Sequence, residues 1–485
     1  MLLAAVLVLV SSVSCVSSQC QRLDADVLIL GAGMAGLGAA EIFSQNGIDN
    51  FLIIEQSGVV GGKVQSAKFG GGVVELGAQW LFDADFNPPE GTIGNPLIPI
   101  IERCGIQFRS LPLGAQGIKG YNSFGEDITT QLLAATARYN AAVSPDIVGS
   151  VLSLLPDEED IPASQGLRVG GWNARSLVEE LAELFLFDIA FGVPPDLGSY
   201  RDTFDPVRLA VRSEVYGPAS PAGGFIITHP EGYAAMPKCF AREFLSEDDP
   251  RLLLNTVVEE VIYGDDCVCV LTSGGVQYCG RYAIITFSVT SLQSGVVKFT
   301  PELPLSRNLT LSQFEVAQFL KIYLEYDEVF WDTDTDLILY LDERRDREHY
   351  PAFAPWGSFF PEQLPILESL LIGNEAKRIA QQDLSITKQE ITDIMRNIYG
   401  RKARDPVNII MHDFIVNPYF YGDFAAVSIH IAQLVDEISM PSGNLYFAGE
   451  PYEFLIHSAV HAALIHGRET AERIVQLLQG PLRSK

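Results

Sequence analysis

A chain of 485 residues, 47% hydrophobic and 19% charged, has more apolar side chain than one core can hold, so at least two globular domains are expected and general disorder is excluded. Its formal net charge of −28 at pH 7 excludes nucleic acid as a partner, because the phosphates would be repelled. The same field attracts a small cation, although acids in this number also serve simply to keep a protein soluble.

The chain opens on an apolar run, Leu2 to Val10, followed by "SSVSCVSSQC". The run is too short to span a bilayer and reads as a secretory signal peptide within 1–20, although its start holds no Lys or Arg. No later run reaches the length of a membrane-spanning helix, and the expected location is extracellular. Of the seven cysteines, loss of Cys15 with the signal leaves an even number, compatible with disulfides. The triplet Asn308-Leu309-Thr310 is a glycosylation acceptor that fits secretion.

Residues 26–30, "DVLIL", form a short strand that runs into glycines. "AGLGAAEIFSQNG" reads as a helix closed by Gly47, and "NFLIIE" as the next strand. Gly31, Gly33 and Gly36 make a G-x-G-x-x-G pattern in this strand–helix–strand context. The first permits a tight turn, the second admits a pyrophosphate to the backbone, and the third lets helix pack on strand. The helix N-terminus then faces the anion with unpaired N–H groups. Glu55 ends the second strand, where its carboxylate can accept from ribose hydroxyls. The pattern points to a dinucleotide and leaves NAD and FAD both open.

From about 111 to 220 helical stretches such as "RSLVEELAELFLFDIAFG" alternate with loops rich in Pro and Gly, and 252–290 is rich in strands. There two strands flank the turn Ser273–Gly275. Cys269 falls opposite Cys279 if the turn centres on Gly274, so a cross-strand disulfide and two buried thiols are both open. "FEVAQFLKIYLEYD" reads as a strand whose Lys321, between apolar neighbours, is costly to bury unless its ammonium finds a partner or loses its proton. Segment 361–400 returns to helices, and 443–479 ends with a strand, a glycine and the helix "IHSAVHAALIHGRETAERIVQLLQ". His457 and His461 fall one turn apart on it, near His466. No acid is suitably spaced beside them, so no metal site is expected.

"EQSGVVGGK" and "GGVVELGAQW" resemble the flavin amine oxidase family, the group of polyamine oxidases, monoamine oxidases and L-amino-acid oxidases. Within it the chain looks most similar to secreted plant polyamine oxidases. The resemblance runs on through "LLLNTVVEEVIYGDDCVCV", "VAQFLKIYLEY" and "NLYFAGEPYEFLIHSAVHAALIHGRETAERI". It implies an α/β fold: a Rossmann-like FAD-binding domain over 24–110, 225–295 and 405–480, interleaved with an α+β substrate domain over 111–224 and 296–404. It implies FAD held through Gly62, through Lys63 in place of the usual Arg, and through Gly77, Ala78, Gln79 and Trp80 of the E-x-G-x-x-W segment that starts at Glu75. A backbone group near Val258 would meet the adenine. Phe414 would replace a Trp near the ring, and Gly449, Glu450 and Val460 would serve the phosphate, ribityl chain and ring. No Cys stands at the family's attachment position, so FAD is expected to be non-covalent.

The family's lysine lands on Lys321, where it would hold a water beside flavin N5. The implied reaction oxidises a small amine to an imine while O2 becomes H2O2, and the imine hydrolyses to an aldehyde and an amine. The pattern breaks in the substrate pocket. Phe82 stands where a carboxylate is usual, Phe319 replaces a Tyr, and Ala459 replaces an aromatic cage wall, while Phe424 would supply the opposite wall. Asp83 or Asp85 could replace the lost acid. Two alternatives stay open. An L-amino-acid oxidase would need an Arg for the substrate carboxylate, from among Arg201, Arg208 and Arg212. A flavin-binding protein with lost turnover would fit the changed pocket.

Overall fold

A computed structural model describes residues 22–82, 94–112, 117–156, 159–216, 223–345, 347–360, 362–453, 456 and 458–480. The expected signal peptide, Asp83, Asp85 and His457 lie outside the described residues. Among the described residues no helix is long and apolar enough to cross a membrane.

The chain divides into two compact units, one of 1–64, 236–314 and 432–485 and the other of 65–235 and 315–431. Segments 65–110, 225–235 and 405–431, expected with the nucleotide-binding part, therefore belong to the second unit, and 296–314 to the first. Strand partners decide this. Trp80–Leu81 and Phe108–Pro112 both pair with Gly223–Ile227, and Asn408–Asp413 pairs with Phe319–Glu325. Lys298–Thr300 pairs with Val258–Tyr263.

The first unit is built on an eight-stranded sheet. Ala25–Leu30 lies between Phe51–Ile54 and Gln277–Ile285, parallel to both, and Leu445–Phe447 adds in parallel beyond residues 283–285. "VLIL" at 27–30 is fully buried, as a continuous apolar run covered on both faces should be. The hairpin at 268–285 brings Cys269 opposite Cys279, and the two are joined in a disulfide. The helices Met34–Gln45 and Val460–Gln479 pack closely: a Cβ on Gly38 would come within 2.8 Å of Leu464 O. Arg468 Nε meets the buried Glu41 Oε2 at 2.6 Å beside that contact.

The second unit holds a six-stranded sheet in the order Asn408–Asp413, Phe319–Glu325, Ile366–Ile372, Ala352–Ala354, Leu337–Leu341, Ile118–Asn122. Ile366–Ile372, expected as helix, is thus a strand. Its Leu and Glu suit a helix locally, but seven consecutive pairings with Phe319–Glu325 override that propensity. Alternation along these strands sorts side chains by face. Leu320, Ile322, Leu324, Leu367 and Leu371 enter one apolar cluster with Ile391 and Met395. Tyr323 and Ile366 enter another around Trp356. The helices from Thr129 to Phe204 surround a third, which includes Trp172, Phe187 and Tyr200.

Candidate active site

In the first unit Gly31 follows the opening strand at φ +115, a conformation that L side chains rarely adopt. A Cβ on Gly36 would sit on the carbonyl oxygen of Gly31, so the helix reaches the strand only without a side chain there. Beside Gly33 a Cβ would meet nothing nearer than Gly62 Cα at 3.8 Å. Gly33 also starts the helix Met34–Gln45 with no side-chain cap, which leaves its first N–H groups for an anion. Gly61 N–H donates to Ala32 O at 2.9 Å, placing the Gly61–Gly62 doublet against this loop, with Lys63 half-buried next to it.

Glu55 is buried, and both of its carboxylate oxygens accept backbone N–H groups: Oε2 from Ala32 at 2.7 Å, Oε1 from Ser57 at 2.8 Å. It therefore fixes the glycine loop, and the second lone pair on each oxygen is left for a hydroxyl. Thr256 N–H donates to Glu55 O at 2.8 Å and brings the segment before Val258 to the same strand end. Gly449 follows Leu445–Phe447 at φ +153, and Glu450 Oε2 accepts Ser458 N–H at 3.1 Å. Ala459 and Val460 open the last helix, again with no side-chain cap. A bare helix start, a tight glycine loop with open space beside Gly33, and an acid at the next strand end fit an adenine dinucleotide.

The second unit holds the lysine. Lys321 lies on the face of Phe319–Glu325 shared by Phe319 and Tyr323, and its cross-strand partners are Leu370 and His412. Lys321 Nζ donates to Gly77 O at 2.6 Å. Burial pulls its ammonium below the usual lysine range, opposed by the charges of Glu368, Glu75 and Asp423 in that order. Glu368, opposite Tyr323 in the register, is also buried. Its Oε2 accepts Gln79 Nε2 at 3.0 Å and its Oε1 contacts Tyr323 OH at 3.1 Å. Tyr323 OH donates to Glu75 O at 2.7 Å. Glu75 Oε1 accepts Tyr233 N–H at 2.8 Å, and Oε2 accepts Ser66 Oγ at 2.6 Å. Even so, burial pushes its carboxyl up to about 7.

The aromatics expected in the substrate pocket lie in the same unit. Phe319 and Phe424 stack with centroids 5.5 Å apart. Phe82 is 44% exposed and stacks on Trp80. Phe414 is buried edge-on between His412 and Phe420, each 4.8 Å away. Ala78 is half-buried next to Gln79.

A model of the family described as flavin containing amine oxidoreductase matches residues 34–475. The chain belongs to that family. Among this family's curated members it is 28% identical over 93% of its length to "Polyamine oxidase 1" of Zea mays, 91% of which is covered. It is 27% identical over 91% to "Polyamine oxidase 7" of Oryza sativa subsp. japonica, 93% of which is covered. Among solved structures a double mutant of putrescine oxidase superposes with a TM-score of 0.72 at 18% identity, over 93% of this chain and 99% of that one, which shows the flavin amine oxidase fold. The protein is accordingly an FAD-dependent amine oxidase. No cysteine lies beyond Cys279 in the sequence, consistent with FAD held without a covalent bond.

Glu368 and Tyr323 are absent from the residues singled out by sequence. An acid inside "ILESLLI" carries the same signal that marks Lys321, a lone charge in an apolar run. Of the arginines considered for a carboxylate substrate, Arg201 donates to Glu159 O at 2.8 Å and Arg208 is ion-paired with Asp202. His461 and His466 are both buried on the last helix.

Proposed function

We propose that this amine oxidase acts on a small, polyamine-like amine outside the cell. The amine is oxidised at the C–N bond to an imine while O2 is reduced to H2O2, and water then cleaves the imine to an aldehyde and an amine. FAD supplies the two-electron redox chemistry when bound. The observation that carries the reading is Lys321, a half-buried ammonium in an apolar strand that donates to the carbonyl of Gly77 and feels the charges of Glu368, Glu75 and Asp423. A group this costly to bury marks a functional site. The names of the relatives, polyamine oxidase and putrescine oxidase, support an aliphatic di- or polyamine over other amines.

The protein's own groups orient and select. Phe319 and Phe424 present stacked rings, and Phe82 exposes a ring over Trp80. These are flat apolar faces suited to methylenes and to cation–π contact with one ammonium. Hydride loss needs the nitrogen lone pair, so the reacting amine is neutral and activity rises at mildly alkaline pH. Arg201 and Arg208 are held by Glu159 and Asp202, which disfavours an amino-acid substrate needing a free arginine.

Secretion is supported by the cysteines. Cys104, Cys239, Cys267, Cys269 and Cys279, all those among the described residues, are disulfide-bonded, as in an oxidising compartment. Asn308 of the acceptor triplet is exposed.

The test is an absorption spectrum of the purified protein followed by a peroxide assay on di-, tri- and tetra-amines and on amino acids from pH 6 to 9. A yellow protein that makes peroxide from an amine, faster toward pH 9, supports the reading. Flavin that no amine bleaches anaerobically refutes it. Mass analysis of the protein secreted by expressing cells, for the mature N-terminus and for glycan on Asn308, tests the location.

A further inference from the structure

Lys321 Nζ donates to Gly77 O, and a carbonyl does not compensate an ammonium for the loss of water. The groups facing it can be taken element by element. Tyr323 lies on its own strand and His412 on the neighbouring strand Asn408–Asp413. Glu368 lies on the other neighbour, Ile366–Ile372, Glu75 on Gly72–Glu75, and Asp423 on the loop where its Oδ2 accepts Phe319 N–H at 2.8 Å. The three acids are not equivalent. Asp423 and Glu75 are committed to backbone: Asp423 to Phe319 N–H, and Glu75 to Tyr233 N–H as well as the hydroxyl of Ser66. Glu368 bonds to side chains, Gln79 and Tyr323, both from elements that also touch the lysine's surroundings. It is 3% exposed, so bulk water does not screen it.

We propose that Glu368, diagonal to Lys321 on the same face of the paired strands, is the positioning residue of Lys321, its fixed carboxylate being the counter-charge of the ammonium. Gln79 directs an N–H toward this carboxylate, which favours its charged form against burial. Burial alone drives Glu368 up and Lys321 down, so each needs the other's charge. Removing one partner leaves the survivor to neutralise. Gln79, expected as a cofactor contact, acts here through Glu368.

The kinetic consequence rests on the amine-oxidation reading; the charge coupling does not. The coupling is read in the purified full-length protein by NMR with lysine labelled at 13Cε, the Lys321 resonance being assigned by its loss in Lys321→Met. In Glu368→Gln, which keeps shape and removes charge, the Lys321 midpoint is expected to fall by about one pH unit or more, the range for losing a neighbouring opposite charge. A Lys321 midpoint that does not move overturns the proposal, and a merely structural glutamate would leave it unmoved. Should Glu368→Gln fail to fold, the reciprocal measurement decides: Lys321→Met must raise the midpoint of the Glu368 carboxyl carbon by a similar amount. In turnover, Glu368→Gln should shift the pH profile of kcat and leave KM within about twofold. A shifted lysine in a protein that oxidises no amine sinks the proposed function alone. An active oxidase whose lysine ignores Glu368 sinks this inference alone.

Discussion

His466 gives the sharpest test of the fold that carries the last helix. It is 3% exposed, stacked on Tyr452 with centroids 5.3 Å apart, and its Nδ1 lies 3.4 Å from Thr470 Oγ1. Burial, helped by the charge of Arg473, pulls its midpoint from 6.5 down to about 3. The folded protein therefore holds this ring neutral where the unfolded chain takes up a proton. Its contribution is fully present above 6.5 and is lost as pH falls toward 3. From those two midpoints the loss on going from pH 7 to pH 5 is about 2 kcal/mol. His466→Phe keeps a ring against Tyr452 and removes the titration. Urea unfolding of wild type and variant at pH 7 and pH 5 isolates the effect as the difference between the two pH dependences. The wild type should lose about 2 kcal/mol more than the variant. Equal losses, or a His466 imidazole that titrates near 6.5 by NMR in the folded protein, would refute the reasoning.

Gly36→Ala puts a methyl on the carbonyl of Gly31. It should cost about 1–3 kcal/mol of stability and at least tenfold in FAD affinity by fluorescence titration, whereas Gly47→Ala, whose Cβ meets nothing within 4 Å, leaves FAD binding unchanged. The Cys269–Cys279 bridge closes a loop with a sequence separation of 10. Replacing both with Ser should cost about 3 kcal/mol by loop entropy, read as a lower urea midpoint under non-reducing conditions. Glu75 titrates with the opposite sign to His466. Its folded midpoint is raised from 4.5 to about 7, so the folded state binds the extra proton and stability falls as pH rises through that window. Glu75→Gln should remove about 3 kcal/mol of that fall between pH 4.5 and 7, and an unchanged slope would refute it.

The features legible in the sequence are local. The glycine spacing, the helix closed by Gly47 and the acid at Glu55 lie within one strand–helix–strand unit, so pattern and position agree. Lys321 is legible because a lone cation in an apolar run is anomalous by itself. Glu368 carries the same signal, but "ILESLLI" is made of residues that suit a helix, and only its register against Phe319–Glu325 makes it a strand and brings the acid to the lysine's face. The unit boundaries are hidden for the same reason. Trp80–Leu81 looks continuous with the glycine-rich segment before it, but its partner is Gly223–Ile227, far along the chain. Glu55 shows a subtler gap. Its place at a strand end suggests a sugar contact, and nothing in the spacing indicates that the glycine loop takes a lone pair from one oxygen through Ala32 while Ser57 takes one from the other.

Glu75 shows how one motif acid can serve the site without facing a ligand. Its side chain accepts from Ser66 Oγ and Tyr233 N–H, and its carbonyl accepts from Tyr323 OH. Three stretches of the second unit thus converge on one residue. Trp356 Nε1 holds the same strand two residues earlier, through Val73 O at 2.8 Å. A strand pinned at both ends leaves little freedom to the residues after it. Those residues include Gly77, whose carbonyl accepts from Lys321 Nζ, and Gln79, whose amide donates to Glu368. The E-x-G-x-x-W spacing therefore has a mechanical meaning within this unit. The acid anchors the strand, the glycine carbonyl meets the lysine, and the residue just before the tryptophan aligns the lysine's counter-charge. Losing the anchor would disturb all three together, which is why the lysine and its two acids behave as one site.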